Sequence, residues 1–382
     1  MSSSEIIVPI SADSHITEPP DCYSARIDKA WADKAPHIVN DPKMGEVFRI
    51  PGLDRPIPMG LIAAAGRDPK DLKYKTHNYR DLHPGGYDAT KRLADQDRDG
   101  VFGEIIYPSV GMLLCNHPDF DFKRACFNAY NLWLEEYCDH APGRLFGMAQ
   151  IAMRTVEEGI ADLQDLKARG FRGVMMPGEP ALSDYHDPIY DPFYEAAVAL
   201  KMPLSFHILT SSGAGIAPTR GPKINGFQSI IRGNQDILGT FIFGGVFDRH
   251  PDLKIVCVEA DAGWAPHWMY RADHAYNHHR YWMKCDELQR MPSDYFKENI
   301  YLTFQDDWSA FKAKDELNVE RLMWANDFPH SDATWPRSQE ILAQQTQDLT
   351  MHEKQRILRD NVRDLYDLPI PDAPHMKEAA HA

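Results

Sequence analysis

Short runs of β-branched and aromatic residues recur along the chain, and stretches with apolar positions at helical spacing separate them. Strands are expected over Ile6–Asp13, Val101–Tyr107, Leu145–Ile151, Phe171–Met176, Pro203–Leu209, Leu253–Glu259, Asn299–Phe304 and Arg321–Asp327. Between them, helical periods cover Ala89–Arg98, Ala125–His140, Val156–Arg169, Pro192–Leu200, Ala265–His279 and Ser309–Leu317. Alternation of this kind is the mark of repeated βα units, and eight such strands favour an α/β fold of the (β/α)8 or TIM-barrel type. An open doubly wound sheet would carry a glycine-rich phosphate loop after its first strand. Here that strand runs into Asp13-Ser14-His15 instead.

The one long break in the pattern is Tyr23 to Gly86, rich in Pro, Gly and mixed charge, between the first two strands. A connection of that length is functional or an interface more often than idle, so residues 23–86 are expected to form a cap over the barrel mouth or a subunit contact. Residues 1–368 then read as one barrel domain, and 369–382 as a proline-containing tail or an arm on a partner subunit.

Composition narrows the partners. The 382 residues carry 41 Lys+Arg against 56 Asp+Glu, a formal charge of −15, and no basic run to release counter-ions from phosphates. Nucleic acid is therefore not expected. The longest strongly apolar run, Ile237 to Phe247, holds three glycines and is far shorter than the ~20 residues of a membrane span. No secretory signal is visible at the start, and the six cysteines form no CxxC pair or spaced framework, which reads as reduced thiols in a cytoplasm.

Barrel enzymes place their chemistry at the C-terminal ends of the strands. Asp13 and His15 end the first strand two residues apart, on one face. His207 ends the fifth strand, Glu259 the sixth and Asp327 the eighth. Imidazole and carboxylate clustered around one mouth outline an open metal site for Zn²⁺, Mn²⁺ or Fe²⁺, and the lack of paired thiols removes the closed structural zinc sites. Asp327 and Glu259 are candidate general bases, and His330 a candidate for proton transfer or for orienting a ligand. No Gly-x-Ser-x-Gly elbow, P-loop or HExxH is present, and Ser211-Ser212-Gly213-Ala214-Gly215 lacks the spacing of a dinucleotide fingerprint. Met175-Met176 and the stripe Trp264, Trp268, Tyr270 read as core or pocket lining.

Seven segments carry a resemblance: Ser11-Ala-Asp-Ser-His-Ile-Thr-Glu-Pro, Arg92-Leu-Ala-Asp-Gln-Asp-Arg-Asp-Gly, Phe206-His-Ile, Gly245-Val-Phe-Asp-Arg-His-Pro-Asp-Leu-Lys, Glu259-Ala-Asp-Ala-Gly-Trp, Tyr301-Leu-Thr-Phe-Gln-Asp-Asp and Trp324-Ala-Asn-Asp-Phe-Pro-His-Ser-Asp. In this order the chain resembles the amidohydrolase-related metal enzymes, in the branch that holds the aminocarboxymuconate-semialdehyde and γ-resorcylate decarboxylases. The resemblance implies that Asp13, His15, His207 and Asp327 are the metal ligands. It implies hydrolysis or non-oxidative decarboxylation of a small organic substrate, with zinc first and manganese or iron as alternatives. At the sixth strand the decarboxylases have a histidine where this chain has Glu259, and the fourth strand end, Gly173-Val-Met-Met-Pro, lacks a lysine that could be carbamylated. Glu18 and Glu259 add carboxylates that suit manganese or iron, so a dinuclear oxygenase of the same family is the alternative activity. A homo-oligomer, dimer or tetramer, is expected. A catalytically silent subunit paired with an active paralogue is the non-enzymatic alternative.

Overall fold

The computed structural model describes residues 7–75, 78–211 and 221–370. Eight strands of the described residues run parallel: β1 Ile10–His15, β2 Gly103–Tyr107, β3 Leu145–Gly147 continued by Ala149–Gln150, β4 Val174–Met175, β5 Leu204–His207, β6 Ile255–Val258, β7 Ile300–Phe304 and β8 Leu322–Trp324. Each pairs with the next, from Ile10 opposite Gly103 through to Leu302 opposite Leu322, with a register shift in the first pairing between Ser11 and Ser14. Between β8 and β1 the ring is closed by two backbone bonds, His15 N–H to Phe328 O at 2.7 Å and Asp327 N–H to Asp13 O at 3.1 Å. This is the expected TIM barrel. All strand residues are buried because helices cover the outside while side chains fill the inside, which is why the strands read as near-continuous apolar runs.

Several helices begin where a side chain accepts the free backbone amides of the first turn. Asp88 caps Ala89–Asp99, which ends on Gly100 at φ 68°, Asp119 caps Phe120–Cys138, and Thr155 caps Val156–Ala168. The helix expected over Ser309–Leu317 is shorter, Trp308–Lys312, starting at the Asp307 cap. The apolar run from Ile237 conceals helix Arg232–Phe243, followed after Gly244-Gly245 by Val246–Arg249; Gly245 sits at φ 67°, a conformation glycine adopts without strain. Further helices at Pro292–Asn299 and Ser338–Gln345 complete βα units that the periodicity left blank.

The long connection is structured. It holds an antiparallel sheet of His37–Asp41, Gly45–Arg49 and Ile57–Pro58. It is fastened to the loop after β8, since Ala64 and Ala65 N–H donate to Pro329 O and Ser331 N–H donates to Leu61 O. Residues 61–65 of this connection therefore lie against the loop at the C-terminal end of β8.

All six cysteines are free, and no helix among the described residues is long and apolar enough to cross a membrane. Met175 and Met176 are core, as expected, but Tyr270 is 62% exposed, on the outer face of helix Ala265–Met283. Residues 212–215 and 371–382, and so most of the expected tail, lie outside the described residues.

Candidate metal centre

Four strand ends converge on one buried point. Asp13 and His15 both lie within β1, whose pairing with β2 shifts register between Ser11 and Ser14. His207 is the last residue of β5. Glu259 directly follows β6 at φ 56°, with its N–H held by Thr303 Oγ1 at 2.8 Å. Asp327 follows β8 at φ 52°. Left-handed backbone at a non-glycine residue costs on the order of 1 kcal/mol, and two such residues facing one centre is the pattern of a functional site.

The distances between the facing atoms fit a shared cation. His15 Nε2 lies 3.2 Å from His207 Nε2, 3.3 Å from Glu259 Oε2, 3.5 Å from Asp13 Oδ1 and 3.6 Å from Asp327 Oδ1. His207 Nε2 is 3.2 Å from Glu259 Oε2 and 3.6 Å from Asp13 Oδ1. Ligands about 2.1 Å from one ion stand roughly 3.0–3.4 Å apart.

Hydrogen bonding fixes the imidazoles in the right tautomer. His15 Nδ1 is 2.9 Å from Pro108 O and His207 Nδ1 is 3.1 Å from Ile208 O. A carbonyl only accepts, so each Nδ1 carries the proton and each Nε2 turns a lone pair to the centre. The carboxylates are in the same state: both oxygens of Asp13, both of Asp327 and Glu259 Oε2 are buried without a hydrogen bond. A divalent cation satisfies all of these orphaned atoms together.

The electrostatics follow. Burial, then Asp327 and Asp13, push the Glu259 carboxyl well above its ordinary range, and burial, then Asp13, does the same to Asp327. Burial and the nearby His330 and His207 hold His15 well below the usual imidazole value, hence neutral and able to ligate.

Two overlapping groups have ligand geometry, one of Asp13, His15, His207 and Glu259, the other of His15, Glu259, Asp327 and His330. They share His15 and Glu259 and so describe one centre. His330 stands on its edge, with Nδ1 3.0 Å from Asp327 Oδ1, Nε2 3.1 Å from Ser109 Oγ and its ring stacked on that of His15 at 3.9 Å. Burial lowers the His330 pKa to about 4.

Glu18 falls in neither group. Its Oε1 accepts the N–H groups of Ser109 and Gly111, each at 3.0 Å, and burial raises its carboxyl to about 7. Glu18 thereby fastens the loop after β2, in which Pro108 O orients His15 and Ser109 Oγ meets His330. We expect Glu18→Ala to strand two buried amides and lower the unfolding free energy by about 1–3 kcal/mol. Glu18→Gln, which keeps the acceptor, should retain a full complement of metal. Denaturant unfolding and elemental analysis check this, and a ligand role would instead strip metal from both variants.

Pro108, Ser109 and Thr303 went unnoticed in the sequence because they act through a backbone carbonyl or a hydroxyl that carries no motif. Their one signal is position, at or just beyond a strand end.

Known proteins share this architecture. An amidohydrolase from Mycobacterium avium subsp. paratuberculosis K-10 superposes with a TM-score of 0.76 at 22% identity, over 94% of this chain and 98% of that one. The 5-carboxyvanillate decarboxylase of Novosphingobium aromaticivorans DSM 12444, solved with bound manganese, gives 0.68 at 19% over 96% and 98%. A dihydroxybenzoic acid decarboxylase of Polaromonas sp. JS666, solved with manganese and the inhibitor 2-nitroresorcinol, gives 0.65 at 18% over 97% and 100%. At these identities the likeness is one of fold. The family model described as amidohydrolase matches residues 121–368, about two thirds of the sequence, and the chain belongs to the amidohydrolase family.

Proposed function

We propose that this chain is a metal-dependent carboxy-lyase that removes carbon dioxide from a small aromatic carboxylate without an oxidant. The observation that carries the reading is the convergence of Asp13, His15, His207 and Glu259, with Asp327 beside His15, on one buried point, in a family member whose structural neighbours include decarboxylases solved with manganese. When bound there, a divalent ion polarises a substrate carboxylate or phenolate oxygen and organises it against the protein. Manganese and zinc both suit the donor set.

The chain's own residues supply the rest. His15 and His207 turn Nε2 toward the centre while Nδ1 is engaged by a backbone carbonyl, and Asp13 adds a carboxylate without a competing hydrogen bond. Asp327 Oδ1 and His330 Nδ1, 3.0 Å apart, can share a proton at the edge of the centre. That proton goes to the ring carbon as the carbon–carbon bond breaks, the bonding pair stays on the ring, and carbon dioxide leaves. The insertion acts as a cap that excludes water, a role supported by its backbone bonds to Pro329 and Ser331. A self-associated dimer or tetramer completes the reading, supported by the exposed Tyr270, Tyr281, Trp282 and Met283 on one helix.

Hydrolysis is the second reading, and Glu259 favours it: a carboxylate at the centre accepts a proton from an attacking water. The test is to strip the protein of metal, reload it with Mn²⁺ or Zn²⁺, and assay hydroxybenzoates for carbon dioxide release beside a panel of esters, lactones and amides. Metal-dependent carbon dioxide release supports decarboxylation. Turnover only of the hydrolysable panel replaces it with hydrolysis.

A further inference from the structure

The motif that begins at Arg92 has no part in the chemistry above, yet its first residue is among the most buried charges in the molecule. Arg92 is 0% exposed and its partner Glu104, on β2, is 1% exposed. The guanidinium Nε donates to Glu104 Oε2 at 2.5 Å, Nη1 donates to His15 O at 2.7 Å and to Gly85 O at 3.4 Å, and Nη2 donates to Phe328 O at 3.4 Å. Its face lies 4.5 Å from the Phe328 ring. One rigid fork thus grips the backbone of a candidate ligand, His15, and of the residue next to another, Asp327.

The grip falls where the barrel is least regular. β1 shifts register between Ser11 and Ser14, Asp327 has positive φ, and β8 meets β1 through only a few backbone bonds. Glu104 carries the grip across this seam. Its Oε2 also accepts from Gln96 Nε2 at 2.7 Å, and its Oε1 accepts from Asn326 Nδ2 at 3.2 Å. Asn326 Oδ1 in turn accepts from Ser11 Oγ and Ser14 Oγ, both at 2.9 Å, and from Phe328 N–H at 3.2 Å. The strands that carry Asp13, His15 and Asp327 are thereby tied through one buried ion pair.

We propose that Arg92, paired with Glu104, is a positioning residue for the metal centre: its fork sets the spacing of His15 and Asp327 across the β1–β8 seam. A buried ion pair is poor evidence of stability, since apolar groups of the same shape serve as well. Its value lies in geometry, because an apolar pair cannot hold two carbonyls from different strands in one plane. The inference rests on the metal-centre reading above.

The test compares wild type with Arg92→Lys, which keeps the charge beside Glu104 but cannot span both carbonyls. Arg124→Lys, in the partly buried Arg124–Asp162 pair remote from the centre, serves as the control. Mn²⁺ affinity is measured by calorimetry, and Co²⁺ is bound in place of Mn²⁺ so that its visible spectrum reports ligand geometry. We expect Arg92→Lys to bind Mn²⁺ about 10-fold to 100-fold more weakly and to shift the Co²⁺ bands, whereas Arg124→Lys leaves both unchanged. Should Arg92→Lys fail to fold, the neutral double variant Arg92→Met with Glu104→Gln replaces it, with the same expected loss. Wild-type affinity and spectrum in a folded Arg92 variant overturn the positioning role. Failure of the wild type itself to bind Mn²⁺ or Co²⁺ overturns the metal-centre reading instead.

Discussion

His207→Ala should empty the metal centre and leave the barrel folded. The side chain ends β5 with its Nε2 within 3.6 Å of His15, Glu259 and Asp13, so its loss removes one of two inner nitrogen donors. Removing an outer partner of a ligand typically weakens binding by 10-fold to 100-fold, and removing a ligand should reach at least the upper end, about 100-fold. The apo protein pays little. Truncation frees the Ile208 carbonyl and leaves a small cavity, so apo stability should change by only about 1 kcal/mol. A bound ligand stabilises a fold by about 2.7 kcal/mol at 100 times its dissociation constant. Wild type should therefore melt higher when Mn²⁺ or Zn²⁺ is added, and His207→Ala should show no such rise. Elemental analysis and melting with and without metal check it, and a variant with full metal content removes His207 from the centre.

Why this site was legible in the sequence, and its supports were not, is a matter of which atoms act. Asp13, His15, His207, Glu259 and Asp327 act through side chains of restricted chemistry at predictable places, the C-terminal ends of strands, so periodicity and residue type were enough to group them. The supports act through atoms that every residue has. Pro108 O and Ile208 O set the two tautomers, and only the folded backbone shows it. Glu18 shows the same limit: three residues past His15 it has the chemistry of a ligand, while in the fold its Oε1 accepts the amides of Ser109 and Gly111. Strands were placed correctly with their ends a few residues out, because turn residues at the flanks are themselves often buried. Helix Arg232–Phe243 was hidden by the opposite effect, an apolar run with glycines that reads as strand or loop until its covering role is seen. The antiparallel sheet of the insertion left only short, mixed-charge strands, half exposed, with little alternation to find.

Glu259→Gln is the variant that separates this centre from one with an imidazole at the same place. Its Oε2 faces both histidine Nε2 atoms, at 3.2 Å and 3.3 Å, and among the described residues it makes no ion pair with an arginine. Nor does it cap the turn that follows, because Asp307 Oδ2 accepts the N–H groups of Ala262 and Gly263. A charge so placed works against the fold when the cation is absent and with the cation when it is present. In the metal-free protein burial and the neighbouring Asp327 and Asp13 raise its pKa above the ordinary 4.5. The native state then holds a proton that the unfolded chain releases, so stability falls as pH rises above about 4.5 toward the raised value. Glutamine removes that part of the pH dependence, and metal-free Glu259→Gln should be the more stable protein at neutral pH. With metal the order reverses. The amide oxygen carries no charge to offset the ion, so binding should weaken by about 10-fold to 100-fold and turnover should fall with it. Unfolding of both proteins across the pH range, with and without Mn²⁺, reads the two effects together. If the metal-free variant is no more stable, and the loaded one binds Mn²⁺ as tightly as wild type, Glu259 is a bystander and the centre is built from Asp13, His15, His207 and Asp327 alone.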